Sequence, residues 1–358
     1  MSPKVLVIAT SRKTRGGITS VVLAHEKGLQ WDDYHCRWIE THRDKSAIVK
    51  LWYFIKAFFQ YLFLFPFYDI VHIHLSEPPS AIRKLPFMWL AKFFGKKTIV
   101  HFHSFSTETT IDGKWAWVYK YEFSRADIVI TLSEYWKEKV TCFLNDGKGK
   151  VRVVYNPCPN INKQWGNTPL ADSDVMMPRR NVILYAGTIT PRKGYADLIK
   201  AFAKIALYHK DWMIAFAGNG EIEKGKALAE ELGISSQTLF LGWCAGADKD
   251  RAFREATIFC LPSYAEGFPM AVLDAWAYGL PVITTPVGGI PDVAKDGENM
   301  LLFDSGDVDA LTQCLERMIN DTKLRVKIAE ASKVFANNTF NATVVNRCVG
   351  KIYNELMA

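Results

Sequence analysis

Ser263-Tyr264-Ala265-Glu266-Gly267-Phe268-Pro269-Met270-Ala271-Val272-Leu273-Asp274-Ala275-Trp276 is the stretch on which the fold of this chain turns. A strand-like run, Ala256 to Leu261, precedes it, and a helix-like run, Ala271 to Tyr278, follows, closed by Gly279 and Pro281. Glu266 to Pro269 are therefore expected to form the turn between a strand and a helix. Pro269 suits the first turn, where a missing N–H costs nothing. The backbone N–H groups at a helix start lack internal partners and carry partial positive charge, so they favour an anion. Glu266 stands at the mouth and can accept hydrogen bonds from hydroxyls. Asp274, two turns into the helix, can hold a second pair. Taken alone, the stretch reads equally as an ordinary strand-turn-helix with two acids on its surface.

Working outward, apolar strands alternate with helical runs on both sides. Val5 to Ala9, Asp69 to His74, Lys97 to His103, Asp127 to Leu132 and Val151 to Tyr155 read as short buried strands in the first half. Val182 to Ala186, Trp212 to Ala217, Thr238 to Leu241 and Pro281 to Thr285 continue the series. Such alternation points to an α/β chain whose parallel sheets are covered on both faces. Residues 160–180 break the rhythm with Asn160, Asn162, Asn167, Pro169 and Pro178 and read as a linker. Two doubly wound, Rossmann-like domains are expected, 1–165 and 166–340, facing one another across a cleft. The closing helix, 341–358, is expected to pack back on the first. Ligands bind such sheets beyond the carboxyl ends of the strands.

The totals bound the class. Hydrophobic residues make up 49% and charged residues 23%, the balance of a soluble globular protein. The seven cysteines are odd in number and form no C-x-x-C pair, which argues against a zinc site or a disulfide framework and for a reducing compartment. Net charge is +7, but residues 1–163 hold 24 Lys+Arg against 14 Asp+Glu, and 164–358 hold 20 against 23. The basic front half fits a phosphate-bearing substrate or an anionic membrane surface. Nucleic acid is not expected, because the basic residues are scattered and no zinc-finger or RNP-type motif accompanies them.

Several turns after strands carry chemistry. Gly16-Gly17 follows the first strand; it is either a close-approach loop or a plain turn. His101 and His103 alternate onto one face at the end of a strand, and His72 and His74 repeat the pattern. These histidines serve either the structure or a ligand; a metal is not expected, since no acidic or cysteine partner has suitable spacing. Gly187-Thr188-Ile189-Thr190-Pro191-Arg192-Lys193-Gly194 puts two cations just before a helix start, where they can clamp a diphosphate. Gly218-Asn219-Gly220 ends the next strand.

At this point the whole chain resembles a known family, the retaining glycosyltransferases of the GT-B fold. Five landmarks fall in family order: Gly16-Gly17, His103, Arg192-Lys193, Gly218-x-Gly220, and the Glu266 turn with its trailing Gly288-Gly289-Ile290-Pro291. The resemblance implies roles. Gly16 and Gly17 would line the donor phosphates and the acceptor side, and His103 would approach the transferred sugar. Arg192 and Lys193 would bind the diphosphate, beside the loop glycines Gly187, Gly218 and Gly220. Glu266 would hold sugar hydroxyls together with the amides of Gly267, Phe268, Pro269's neighbour Met270 and the turn around Pro269. Asp274 would take the ribose diol. Two positions depart from the family: Asp274 replaces the usual Glu, and Thr188 stands where Arg is frequent. No metal or other cofactor is implied; Asp172-x-Asp174 and Asp307-x-Asp309 fall in the linker and in a loop before a helix.

The function expected is transfer of a sugar from a nucleotide diphosphate sugar, UDP before GDP, to a saccharide or undecaprenyl-type lipid-linked acceptor, in bacterial surface polysaccharide synthesis. A nucleotide-sugar epimerase or a non-catalytic membrane scaffold are the alternatives. The location expected is cytoplasmic, on the inner face of the membrane. Leu51 to Phe65 is aromatic and nearly all apolar. At about 15 residues it is too short to span a bilayer; it either packs on the first sheet or lies at a membrane interface, with Lys84, Lys92, Lys96 and Lys97 adding attraction. Trp115, Trp117, Tyr119 and Tyr121 line an acceptor site or fill the core.

Overall fold

The computed structural model describes residues 2–145, 149–159, 161 and 179–358. Two compact units divide the chain, one of Met1–Pro157 with Ala342–Ala358 and one of Cys158–Asn341. The boundary thus falls at 157/158 rather than 165/166, because Cys158 already bonds within the second unit, its N–H donating to Phe340 O at 2.7 Å. Most of the expected linker, and Asp172-x-Asp174 within it, lies outside the described residues.

The first unit holds six parallel strands: β1 (Val5–Ala9), β2 (Arg37–Glu40), β3 (Ile70–Leu75), β4 (Lys97–Phe102), β5 (Ile128–Thr131) and β6 (Val151–Val153), in the order β2-β1-β3-β4-β5-β6. Strand periodicity sends Leu6, Ile8, Val71, Ile73, Val100 and Phe102 to one face, in a core shared with Phe87, Tyr119 and Phe123. Val5, Val7, Ile70 and Ile99 face the other way, toward Val345, Val349 and Tyr353 of the last helix, Ala342–Glu355. Val7 stands opposite His72 and His74 opposite His101, so the histidines share this second face.

Two helices add to the sequence reading. Pro78–Phe93 is a continuous helix despite Pro86 inside it. Pro78 and Pro79 sit in its first turn, where proline is tolerated. The aromatic stretch forms the helix Ala47–Leu64, extended by a 3-10 turn to Phe67. Only Ala57 and Tyr61 of that helix are buried, and the Tyr61 hydroxyl donates to Phe87 O at 3.1 Å. The core-helix reading therefore holds for one stripe and fails for the opposite one. Trp115 and its alternating partners belong to a helix, Ala116–Arg125, and to its cap; Tyr119 is buried and Trp117 exposed.

The second unit is also an all-parallel six-stranded sheet: β7 (Val182–Ala186), β8 (Met213–Ala217), β9 (Thr238–Gly242), β10 (Ile258–Leu261), β11 (Val282–Thr284) and β12 (Leu301–Leu302), ordered β12-β11-β10-β7-β8-β9. Successive strands run outward from β7 to β9, then the order reverses and β10 pairs on the other side of β7. Connections there leave in opposite directions, which opens a crevice beyond the carboxyl ends of β7 and β10. The loops that follow these two strands carry the sequence landmarks.

Their close approach depends on glycine. Gly194 has φ +69°, and a Cβ there would lie 1.9 Å from Pro262 O. Gly194→Ala is expected to destabilise the second unit by about 2–4 kcal/mol, the left-handed penalty plus overpacking against backbone. Urea unfolding followed by tryptophan fluorescence measures it.

Candidate active site

In the second unit the loop after β7 is stitched to the loop after β8. Gly187 N–H donates to Ala217 O at 3.0 Å and Ile189 N–H to Asn219 O at 2.7 Å. Gly218 is required by this contact, since a Cβ would meet Gly187 O at 1.8 Å. Gly220 meets Ile189 O in the same way, at 2.3 Å. Thr188 is exposed, and its carbonyl accepts the Tyr185 hydroxyl at 2.9 Å. The chain then makes a 3-10 turn, Pro191–Lys193, and enters the helix Tyr195–Ile205.

That turn presents both cations to the loop after β10. Lys193 Nζ lies 2.5 Å from Glu266 Oε1, and Arg192 Nη1 lies 3.7 Å from it. Arg192 also donates to Ala265 O, and its own carbonyl accepts Tyr264 N–H at 2.8 Å. Glu266 is buried and accepts the Ser263 hydroxyl at 2.8 Å. Ser263 was not anticipated, although it stands three residues before Glu266 in the quoted stretch. A buried carboxylate that loses its partner cation costs several kcal/mol, so these loops hold one another in place.

The turn ends in the helix Met270–Ala277, one residue earlier at each end than the run Ala271 to Tyr278 read from the sequence. Pro269 is its N-cap, in extended conformation, and no side chain caps the helix start. Phe268 turns its ring inward, 5.0 Å from Phe340 and 6.1 Å from Trp276, so its backbone alone is offered to a ligand. Gly288 and Gly289 make room: a Cβ on Gly289 would lie 2.1 Å from the Phe268 ring. Asp274 is buried and its Oδ2 pairs with Lys249 Nζ at 2.7 Å. Burial pushes its carboxyl above the usual aspartate range, and Lys249 draws it back. Lys249 is 25 positions distant in sequence, and nothing in the local pattern pointed to it.

The first unit contributes a separate set. Gly16, with φ +151°, caps the helix Gly17–Glu26, which follows β1 directly. That helix lays His25 against the strand histidines, with ring centroids 6.1 Å from His101 and 6.2 Å from His74. His103 follows β4 and is half-buried. Its Nε2 lies 3.0 Å from His74 Nδ1, and its N–H donates to Leu75 O at 2.8 Å. The last helix closes the cluster: Tyr353 Oη lies 2.8 Å from His72 Nδ1, and Asn346 Oδ1 lies 2.6 Å from His25 Nδ1. Burial holds all five imidazoles below the ordinary histidine value, His72 down to about 3. His72, His74 and His101 bring ring nitrogens within 4.8 Å of one another, a donor set for a soft divalent ion that spacing alone had not indicated. Beside this cluster, Glu77 accepts the Ser104 hydroxyl at 2.7 Å and so ties the loop after β4 to the start of the helix Pro78–Phe93. A cavity of about 620 Å³ opens there, walled by Pro79, Ile82, Phe105 and Trp115 with Glu77, Glu108 and Lys114 at its polar edge.

The family described as Glycosyl transferases group 1 matches residues 175–335, and Glycosyltransferase Family 4 matches residues 7–159. Residues 175–335 belong to the group 1 glycosyltransferases and residues 7–159 to Glycosyltransferase Family 4. A glycosyltransferase of Methanocaldococcus jannaschii, itself uncharacterized, is 29% identical over 57% of this chain and 54% of its own length. The lipopolysaccharide core biosynthesis glycosyltransferase LpsE of Rhizobium meliloti is 33% identical over 54% of this chain and 52% of its own. The chain spans about half the length of the curated relatives it matches. Among solved structures, Anabaena HepE in complex with UDP superimposes with a TM-score of 0.72 at 17% identity, covering 98% of this chain and all of that one (100%). Sucrose-phosphate synthase from Thermosynechococcus elongatus gives 0.79 at 18% identity, covering 99% of each chain. The architecture is the GT-B fold, α/β with two six-stranded parallel sheets.

Buried neutral histidines make the first unit acid-sensitive. The folded-state values lie below 6.5, so below that pH the unfolded chain takes up protons that the folded chain does not. The stability is complete above the unfolded value and is lost as the pH falls. His101→Leu is expected to reduce the slope of unfolding free energy between roughly pH 6 and 5 by about 1.4 kcal/mol per pH unit, one proton's worth. Urea titrations at a series of pH values give that slope.

Proposed function

We propose that the protein is a retaining, metal-independent glycosyltransferase that moves a sugar from a nucleotide diphosphate sugar to a saccharide acceptor carried on a polyisoprenoid lipid, at the cytoplasmic face of the membrane, in bacterial surface polysaccharide assembly. The observation that carries the proposal is the pair Arg192 and Lys193 gathered on Glu266 at the point where the second sheet reverses its strand order. A diphosphate arriving there meets two cations already oriented by backbone and carboxylate contacts, beside a helix start without a side-chain cap. UDP is favoured as the nucleotide; the HepE structure was solved with UDP. A saccharide acceptor is in keeping with the lipopolysaccharide core role in the name of LpsE.

In the proposed step, the bond from the anomeric carbon to the β-phosphate oxygen breaks as the acceptor oxygen bonds to the same carbon on the same face. The acceptor proton passes to the departing phosphate, so configuration is retained. Positive charge grows at the sugar and negative charge on the diphosphate, and Arg192 and Lys193 stabilise the latter more in the transition state than before it. Glu266 positions sugar hydroxyls and is not a covalent nucleophile. Asp274 takes the ribose diol with Lys249 as its counter-ion, and the family resemblance assigns His103 to the transferred sugar.

Thermal-shift screening against UDP- and GDP-sugars is the direct test, since a ligand bound only by the folded state raises its melting temperature. Lys193→Ala is expected to lower kcat by roughly a hundredfold, ~3 kcal/mol of barrier, in an assay of nucleoside diphosphate release. A glycosyl ester trapped on Glu266 and seen by mass spectrometry, or a turnover that vanishes with chelator, overturns the mechanism.

A further inference from the structure

The helix Ala47–Leu64 is apolar but for Lys50, Lys56 and Gln60 and its tyrosine hydroxyls, yet the first unit buries only one of its stripes. On the opposite side Trp52, Ile55, Phe59, Leu62 and Phe63 recur at helical spacing and are exposed, Phe63 at 76%. The patch continues onto the neighbouring helix Pro78–Phe93. Phe65 lies 5.4 Å from Phe94, Phe94 5.1 Å from Phe93, and Phe93 5.6 Å from Trp89, ring to ring. Trp89, Phe93 and Phe94 are exposed as well. An apolar surface of this extent marks an interaction face.

Charge says what covers it. Neither helix contains an acidic residue, and residues 43–97 hold nine Lys+Arg against three Asp+Glu. Lys84 is fully buried and so cannot serve, contrary to expectation, and Lys92 pairs with Asp127 at 2.9 Å. Lys45, Lys56 and Lys97 remain exposed around the patch, and Lys96 Nζ sits 5.2 Å from the centre of the Phe65 ring. Aromatic side chains bordered by lysines that reach past them complement anionic headgroups over an acyl layer.

The helix and its 3-10 extension make 21 residues, long and apolar enough to cross a bilayer. Topology forbids the crossing. β2 precedes the helix and β3 follows it, and both pair with β1 in one sheet. A crossing would put these strands on opposite sides of the membrane. We propose that the helix 47–67 lies flat in the interface of an anionic bilayer, together with Trp89, Phe93 and Phe94, as a monotopic seat for the first unit. The seat deepens the lipid-linked acceptor reading and rests on it for one feature. Ile82 lines the cavity of the first unit and shares a helix stripe with Trp89 and Phe93, at spacings of seven and four residues. An acceptor anchored in the bilayer reaches the cavity along that stripe.

The test is co-sedimentation of the full chain with vesicles of phosphatidylcholine and phosphatidylglycerol at low salt. The wild type is expected to bind these and to bind pure phosphatidylcholine less. Phe59→Ser and Phe63→Ser are each expected to weaken partitioning by about tenfold, the burial free energy of one phenylalanine. Brominated lipid is expected to quench Trp52, read as the quenching lost in Trp52→Phe. A wild type that stays in the supernatant, variants that bind as well as the wild type, or a dimer broken by these variants without vesicle binding each overturn the proposal. The thermal shift given by sugar nucleotides is measured on the same variants; it tests the donor site and is expected to be unchanged, so failure of the seat and failure of the transferase reading are told apart.

Discussion

Glu266 carries a charge that is almost entirely withdrawn from water, and such a charge persists only with a partner cation and a hydrogen-bond donor beside it. Lys193 and Ser263 meet that requirement. Because Lys193 comes from the loop after β7 and Ser263 from the loop after β10, the requirement binds the two loops on either side of the strand reversal. The glycines then follow as necessities. Gly194 must pass beneath Pro262, Gly218 beneath Gly187, and Gly288 against the Glu266 carbonyl. The result is a crevice whose positive groups are fixed before any ligand enters it, which is the condition under which electrostatic stabilisation is most effective.

The first unit uses a different economy. It accepts buried imidazoles on one sheet face and satisfies some of them from far away in sequence, through Asn346 and Tyr353. Other nitrogens, both of His101 and the Nε2 atoms of His25 and His72, have no hydrogen-bond partner among the described residues. Unpaired buried polar atoms are costly, so a cluster of them next to His103 sets this face apart from the apolar face across the sheet.

What could be read from the sequence was what depends on short-range pattern. Val5–Ala9 and Val182–Ala186 are apolar at every position and flanked by polar turns, and they fold over those same residues. The Arg192, Lys193 and Glu266 landmarks were visible because each sits at a strand-to-helix turn. Arg37–Glu40 escaped notice because a four-residue edge strand with charged ends has too few positions to show alternation. The helix Pro78–Phe93 was hidden by its three prolines, which punctuate most sequences but here occupy the first turn and one interior position. Lys249 opposite Asp274, and His25 among the strand histidines, are products of tertiary packing and leave no local mark. The aromatic helix was ambiguous because its composition is compatible with either a core or a lipid surface, and only its surroundings distinguish the two.

The return of the last helix has a bearing on biosynthesis. Residues 158–341 are inserted within a unit whose sheet begins at Val5 and whose covering layer ends with Tyr353. During translation the inserted unit therefore has all of its strands in hand while the unit that surrounds it in sequence still lacks a wall. The early sheet must wait, with its histidine-bearing face covered only in part by the helix that carries His25, until the ribosome has delivered the final helix.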